Sequence, residues 1–453
     1  MDPQTICPKD LIAIKESPAT HREVLHFIPE DLHLEDTHMA DQDKFRSSGE
    51  QTGSTFEEPW PELFDELFAH SVGLERILGC IEKIQTDEEQ KQGDSCLFTT
   101  KPPPLGIRLQ TRLIELYFRQ FHPICPAVDE RKFLNWYDSS RETKATQSRS
   151  MQLLLYCVLF AGSSYLERDE LQYEEYMTVT QLQKALFSFA QAQYHLLEQE
   201  KLGQEALIQA ALLLSYWSPY DGTREVNGFW SNEATRHAVA GGLPGSRSKS
   251  RGRVIWWCCI MRNRMISTGL RRPTLLRDQI NSRLPEIQDF GEEMTHPRFV
   301  SKQAKVYFAR AFHLLCVLTS TIAECVQLQH RVYTEAWELP AVNPSAQLLK
   351  EVRTLEDELT VWNVNFAQLY ANVRDMEAPR TDLVIFHLLG LMHQFGLSLL
   401  YEPFLSTSRC KSPEAWLVRD HAFLKINQVS TTTASITASL LQHAQPKDIP
   451  IIL

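Results

Sequence analysis

An all-α fold, an irregular multi-helix domain with a disordered acidic N-terminal segment, is what this sequence predicts, and three observations predict it. Apolar residues recur at helical spacing in one segment after another, with almost no alternation of period two. The breaks carry their own stop chemistry: His122-Pro123, Ser218-Pro219-Tyr220-Asp221-Gly222, Gly241-Gly242-Leu243-Pro244-Gly245 and Arg272-Pro273. A content of 43% hydrophobic and 10% aromatic residues over 453 positions is ample for a large interior. No repeat of fixed period is visible, which weighs against an ankyrin or tetratricopeptide array.

Residues 1–55 are rich in Asp, Glu, Gln, Ser and His and too poor in apolar groups to offset the entropy of ordering, so this segment is expected to be disordered. Within it, Val24 to Asp36 interleaves Leu25, Phe27, Ile28, Leu32 and Leu34 with acids, the pattern of an acidic activation segment; an inert solvated tail is the plainer reading. Residues 56–90 turn helical and amphipathic, with Leu63, Phe64, Leu67 and Phe68 in one apolar stripe around Asp65 and Glu66. That stripe either packs on the protein's own core or contacts a co-regulator by lying in its groove. Residues 91–106 form a linker in which Pro102, Pro103 and Pro104 forbid a helix. The rest, 107–445, reads as helices near 107–121, 129–138, 148–164, 169–200, 204–217, 229–241, 251–269, 298–331, 346–374, 380–402 and 412–442.

The bulk chemistry narrows the function classes. A formal net charge of −11 argues against bulk attraction to nucleic acid or anionic membrane. Ten scattered cysteines, several in apolar helical stretches, suit reduced buried thiols better than a disulfide framework, and vicinal Cys258-Cys259 point about 100° apart on a helix. No secretory pattern opens the chain, and the longest apolar run, near Leu153 to Gly162, is too short to span a bilayer. A soluble intracellular protein is the expectation.

Catalytic signatures are missing: no G-x-S-x-G elbow, no P-loop, no H-E-x-x-H and no D-D-x-x-D. His387 and His393 are six apart, which suits packing or a solvent-facing role better than a ligand pair. No catalytic, cofactor-binding or metal residue is therefore nominated. One zone is strongly basic, holding Arg247, Lys249, Arg251, Arg253, Arg262, Arg264, Arg271, Arg272, Arg277 and Arg283 against Asp278 alone. Three readings compete for it: pairing with acids elsewhere in an acidic chain, a nuclear-import signal in RSKSRGR, or a phosphate-binding face. Arginine's suitability for half-buried carboxylates favours the first, with Arg264 and Arg272 as the expected internal clamps.

The same zone carries a recognisable arrangement: Trp230, Ala234, Ala238, Gly242 and Leu243, then Trp256 and Trp257, Arg264, Arg272, Pro273, and finally Leu284 and Pro285. It is similar to the middle homology region of fungal-specific transcription factors, with Leu113 to Phe133 resembling that region's opening helix and Leu391 to Phe404 a later one. The resemblance implies a nuclear protein regulating RNA polymerase II genes, often a metabolic or secondary-metabolite gene set, through a helical domain that binds co-regulators or a homo- or heterodimer partner. Family members also carry a zinc binuclear cluster of six closely spaced cysteines. No C-x2-C occurs here, so neither zinc nor another cofactor is expected, and DNA is expected to be reached through a partner. A truncated or mispredicted chain, which the apolar ending PIIL favours, and regulation without touching DNA are the other expectations. Asn263 stands where the family often has an acid, so the resemblance implies no local ion pair with Arg264. The alternative functions are a helical receptor or enzyme with a pocket between helices, and a co-regulator that does not bind DNA.

Overall fold

The computed structural model describes residues 101–443 except 143–147, 172–175, 218–225, 245–249, 275, 277–281, 339–344, 375–382 and 406–412. All of these lie within the compact unit Gln51–Leu453. The expected acidic segment and the Leu63, Phe64, Leu67, Phe68 stripe fall outside the described residues.

Among the described residues there are eleven α-helices and no strand. They are α1 Ile107–Leu116, α2 Glu130–Glu142, α3 Arg149–Ser163, α4 Val179–Gln199, α5 Gln204–Leu214 and α6 Val226–Ala240. There follow α7 Ser250–Gly269, α8 Lys302–Glu338, α9 Ala346–Arg374, α10 Val384–Tyr401 and α11 Pro413–His443. The periodicity reading places each of them, and its errors have local causes. α4 begins at Val179 and not at 169, because Thr178 adopts an extended conformation and caps the helix by accepting the Gln181 N–H at 3.1 Å. The reading runs straight through Tyr117–Phe121, where α1 ends in a π-turn, and it misses the 3-10 stretch at Ile287–Met294, interrupted by Gly291 at φ 67°.

Helices apolar on every side become central, and there are three. Ala206 to Leu214 of α5 are all buried, as are Val254 to Met261 of α7. α6 packs on both of these helices. In the C-terminal half, α10 is buried along nearly its whole length between α8, α9 and α11. Lys302–Thr334 and Val384–Phe404 are long and apolar enough to cross a membrane by length and composition, but 72% of each window is buried inside the fold, as in core helices.

α1 and α3 cross at Gly162, where a Cβ would stand 2.1 Å from the Leu113 carbonyl oxygen. α6 ends differently, at Gly242 with φ 71° and open space around its Cα. Gly162→Ala must separate two backbones and is expected to lose about 3 kcal/mol in urea unfolding. Gly242→Ala meets only the left-handed backbone penalty and is expected to lose about 1 kcal/mol.

Candidate functional site

The tryptophan–alanine–arginine zone folds into α6, α7 and the return segment after them. Trp230, Ala234 and Ala238 lie four residues apart on one buried face of α6. The Trp230 ring meets Tyr194 edge-on at 5.0 Å and Phe187 at 6.2 Å. α6 closes in a Schellman motif: the Leu243 N–H donates to the Ala238 carbonyl and the Gly242 N–H to that of Val239, each at 3.0 Å, with Gly242 supplying the left-handed residue.

α7 carries Trp256 and Trp257, both buried. The Trp257 indole N–H donates to the Arg283 carbonyl at 2.9 Å, and His313 bonds the Pro285 carbonyl at 2.9 Å. Together they pin the Leu284-Pro285 return onto α7 and α8. α7 ends as α6 does, with the Arg271 N–H bonded to Thr268 and the Arg272 N–H to Ser267, ahead of Pro273. Here the left-handed residue is Arg271, at φ 49°. Arg272, the other expected clamp, has an exposed side chain, and its backbone N–H closes the helix. Asn263, in place of an acid, accepts the Thr274 hydroxyl at 2.8 Å and holds the chain after the proline.

The basic zone is largely committed to internal partners. Arg253 reaches Asp289, Arg271 pairs with Glu402 at 2.8 Å, and Arg283 pairs with Glu286. Arg264 is buried, donates to the Ser320 hydroxyl and lies 5.8 Å from the Trp257 ring centroid. Arg262, which sequence reasoning did not single out, is 1% exposed. Its guanidinium stacks 3.9 Å over the Tyr216 ring and donates to the carbonyl of Ser215 at 2.6 Å. Ser215 is the C-cap of α5, so a cation stands at the negative end of that helix. Burial, opposed by Tyr216, lowers the guanidinium's pKa below its ordinary value. Of the import motif RSKSRGR, Arg251 is nearly buried, while Arg247, Ser248 and Lys249 lie outside the described residues.

A second arrangement escaped the sequence altogether: a buried charge cluster where α2, α7, α8 and the 3-10 stretch meet. Glu293 accepts Arg251 at 2.7 Å and the Glu130 backbone N–H at 2.9 Å, with Lys305 Nζ 3.6 Å away. Lys305 pairs with Glu130 at 2.6 Å, whose other oxygen accepts the Arg298 backbone N–H at 2.8 Å. Two cations face two carboxylates, which is the condition for burying charge. Burial alone would raise the Glu293 pKa, but Arg251, His122 and Lys305 outweigh it and hold the carboxyl down at about 2. His122 is pushed down to about 3 by burial and by the Lys305 cation, so it stays neutral and bonds the Val128 carbonyl at 2.9 Å.

The remaining candidates are packing groups. His387 bonds the Leu383 carbonyl at 2.9 Å; His393 bonds that of Leu359 at 3.0 Å and stacks on Trp362. Glu198, Glu233 and His237 converge within 4.8 Å, yet the Arg236 guanidinium already bridges both carboxylates. Zinc fits poorly among the described cysteines: Cys125, Cys157, Cys258, Cys259, Cys316 and Cys325 are all buried free thiols. Burial pushes the thiols of Cys157, Cys258, Cys259 and Cys316 well up and that of Cys325 to about 12.

Glu293→Gln leaves Arg251 without its carboxylate and should cost about 3–5 kcal/mol at pH 7 by denaturant unfolding. The acid limb has a fixed sign, since both folded pKa values lie below the unfolded ones. His122 removes stability as pH falls from 6.5 toward 3 and Glu293 as pH falls from 4.5 toward 2. Unfolding free energy measured down this range should decline with acid, and His122→Gln should flatten its upper part. Arg262→Lys keeps the charge and loses the planar stack, so about 1–3 kcal/mol should be lost in the same assay.

Comparison with known proteins places this geometry. A family model described as the fungal specific transcription factor domain matches residues 114–364, from α1 into α9. Cutinase transcription factor 1 beta of Fusarium vanettenii is 24% identical over 380 residues, covering 76% of this chain and 42% of that protein. Transcription factor cpaR of Aspergillus oryzae is 23% identical over 380 residues, covering 75% and 60%. Cutinase transcription factor 1 alpha of Fusarium vanettenii is 29% identical over 192 residues, covering 40% and 20%. The chain thus spans from a fifth to three fifths of the length of these relatives. No solved structure matches it. The family match takes in more than half of the sequence and every residue of the tryptophan–alanine–arginine zone, and the chain belongs to the fungal specific transcription factor domain family.

Proposed function

We propose that this chain is the helical regulatory region of a nuclear, pathway-specific regulator of RNA polymerase II transcription, which works by presenting surfaces to other macromolecules and catalyses no reaction. Family membership and the relatives' names as transcription factors support the regulatory part. The observation that carries the mechanism is the fate of the basic zone. Arg251, Arg253, Arg262, Arg264, Arg271 and Arg283 turn to acids, carbonyls, hydroxyls or rings of the fold itself, so these arginines are not arrayed for phosphate contact. Sequence-specific DNA contact is then the task of a partner, and no cofactor is required for what α6 and α7 do. The acidic residues 1–55 and the Leu63, Phe64, Leu67, Phe68 stripe are the activation and co-regulator elements of this reading.

Two measurements test it. In a salt-titrated binding assay on promoter fragments, the isolated chain should show only weak binding without sequence preference; specific nanomolar binding would overturn the division of labour. In a tethered reporter, replacing Leu63, Phe64, Leu67 and Phe68 by alanine should reduce output several-fold with circular dichroism unchanged. Unaltered output would remove that stripe from the mechanism.

A further inference from the structure

Seven hydroxyl residues of this chain stand three positions after an arginine: Thr111, Ser250, Ser267, Thr274, Ser301, Thr334 and Ser412. An arginine at that spacing is what a serine/threonine kinase with an acidic substrate cleft reads, because the carboxylates of the cleft pair with the guanidinium while the substrate is held extended. The fold sorts these candidates. Ser267 and Thr274 are buried. Thr111 and Thr334 lie inside α1 and α8 and donate to carbonyls four residues earlier, at 3.0 and 2.8 Å, so a helix would have to unwind to present them. The side chains of Ser250 and Ser412 are not among those described. Of the five that are, Ser301 alone is both exposed and outside a helix. It closes the non-helical connection 295–301 between the 3-10 stretch and α8, which also carries its arginine. The Arg298 side chain is 54% exposed and meets Asp138 of α2 at 2.8 Å, so its capture by a kinase exchanges one surface ion pair for another.

We propose that Ser301 is a phosphorylation site for a kinase of this basic-directed class, and that the phosphate acts on the start of α8. The Ser301 Oγ attacks the γ-phosphorus of ATP, its proton passes to the base of the kinase, and ADP leaves as the new O–P bond forms. The product falls where its charge has an effect. Ser301 Oγ accepts the Ala304 N–H at 3.1 Å, capping α8, and the first turn of that helix carries no acid. A phosphate adds a charge of about −2 at the positive end of a 37-residue helix, keeps an oxygen for the Ala304 N–H, and has Arg298 and Lys302 beside it in sequence as cationic partners. Arg298 is tied through its backbone N–H to Glu130, the partner of Lys305, so the new charge arrives next to the buried ion pair that fixes the beginning of α8.

Incubated with ATP and the catalytic subunit of cyclic-AMP-dependent protein kinase, the full folded chain should take up phosphate on the peptide that carries Ser301, as mapped by mass spectrometry. S301N preserves the cap, since asparagine serves there as well as serine, and should abolish that uptake. R298Q should slow it about tenfold or more, with the helical spectrum of both variants unchanged. The phosphorylated chain should melt a few degrees above the unmodified one. Phosphate found on the other six hydroxyls and not on Ser301, or uptake that R298Q leaves unaltered, overturns the site. A melting temperature that stays or falls overturns its assigned effect on α8.

Discussion

A cation inside a packed helical protein must be met within hydrogen-bonding distance, and the structure around α7 is arranged to meet that requirement several times over. α7 is buried on every side yet carries Arg251, Arg253, Arg262 and Arg264. The carboxylates that answer the first two arrive on the 3-10 stretch, as Glu293 and Asp289. A helix C-terminus and an aromatic face answer the third, and a hydroxyl with an indole face the fourth. The 3-10 stretch Ile287–Met294 is thus an integral part of the core, because removing it would strand charge in the interior.

This explains why so much of the fold was legible and so little of the charge cluster. Helices follow from periods of three and four residues and from local stops such as Gly242 and Pro273, all of which lie within a few residues of their effect. The Lys305–Glu130 bond spans 175 residues and the Glu130–Glu293 contact 163, distances at which a single sequence carries no pairing signal. Even so, the excess of arginine over acid between Arg247 and Arg283 did announce that partners had to come from elsewhere. Which arginine went deepest was not announced. Arg262 and Arg264 are two apart, and only the position of the α5 end shows why the former is sealed in and the latter reaches across to α8.

The tryptophans and alanines that mark the family are explained by packing rather than by contact with a ligand. Trp230 seals α6 against aromatic rings of α4, while Trp257 ties down a return segment through its indole N–H. Substituting either would act on the platform and only through it on regulation. The buried His122, His393 and thiols belong to the same design: desolvation keeps them uncharged, so the charge in the interior is confined to the matched ion pairs and to Arg262 and Arg264 with their carbonyl, hydroxyl and ring partners.

α8 gives these details a mechanical dimension. It is one helix of 37 residues, about 55 Å long, whose first turns are fixed by the Lys305 ion pair and whose later turns pack on α9 and α10. A rod shared in this way cannot tilt at one end without sweeping the other. A rotation of about 5° at the Lys305 end carries the far tip roughly 5 Å, so anything that strains the clasp is felt across the C-terminal bundle as displacement rather than as loosening.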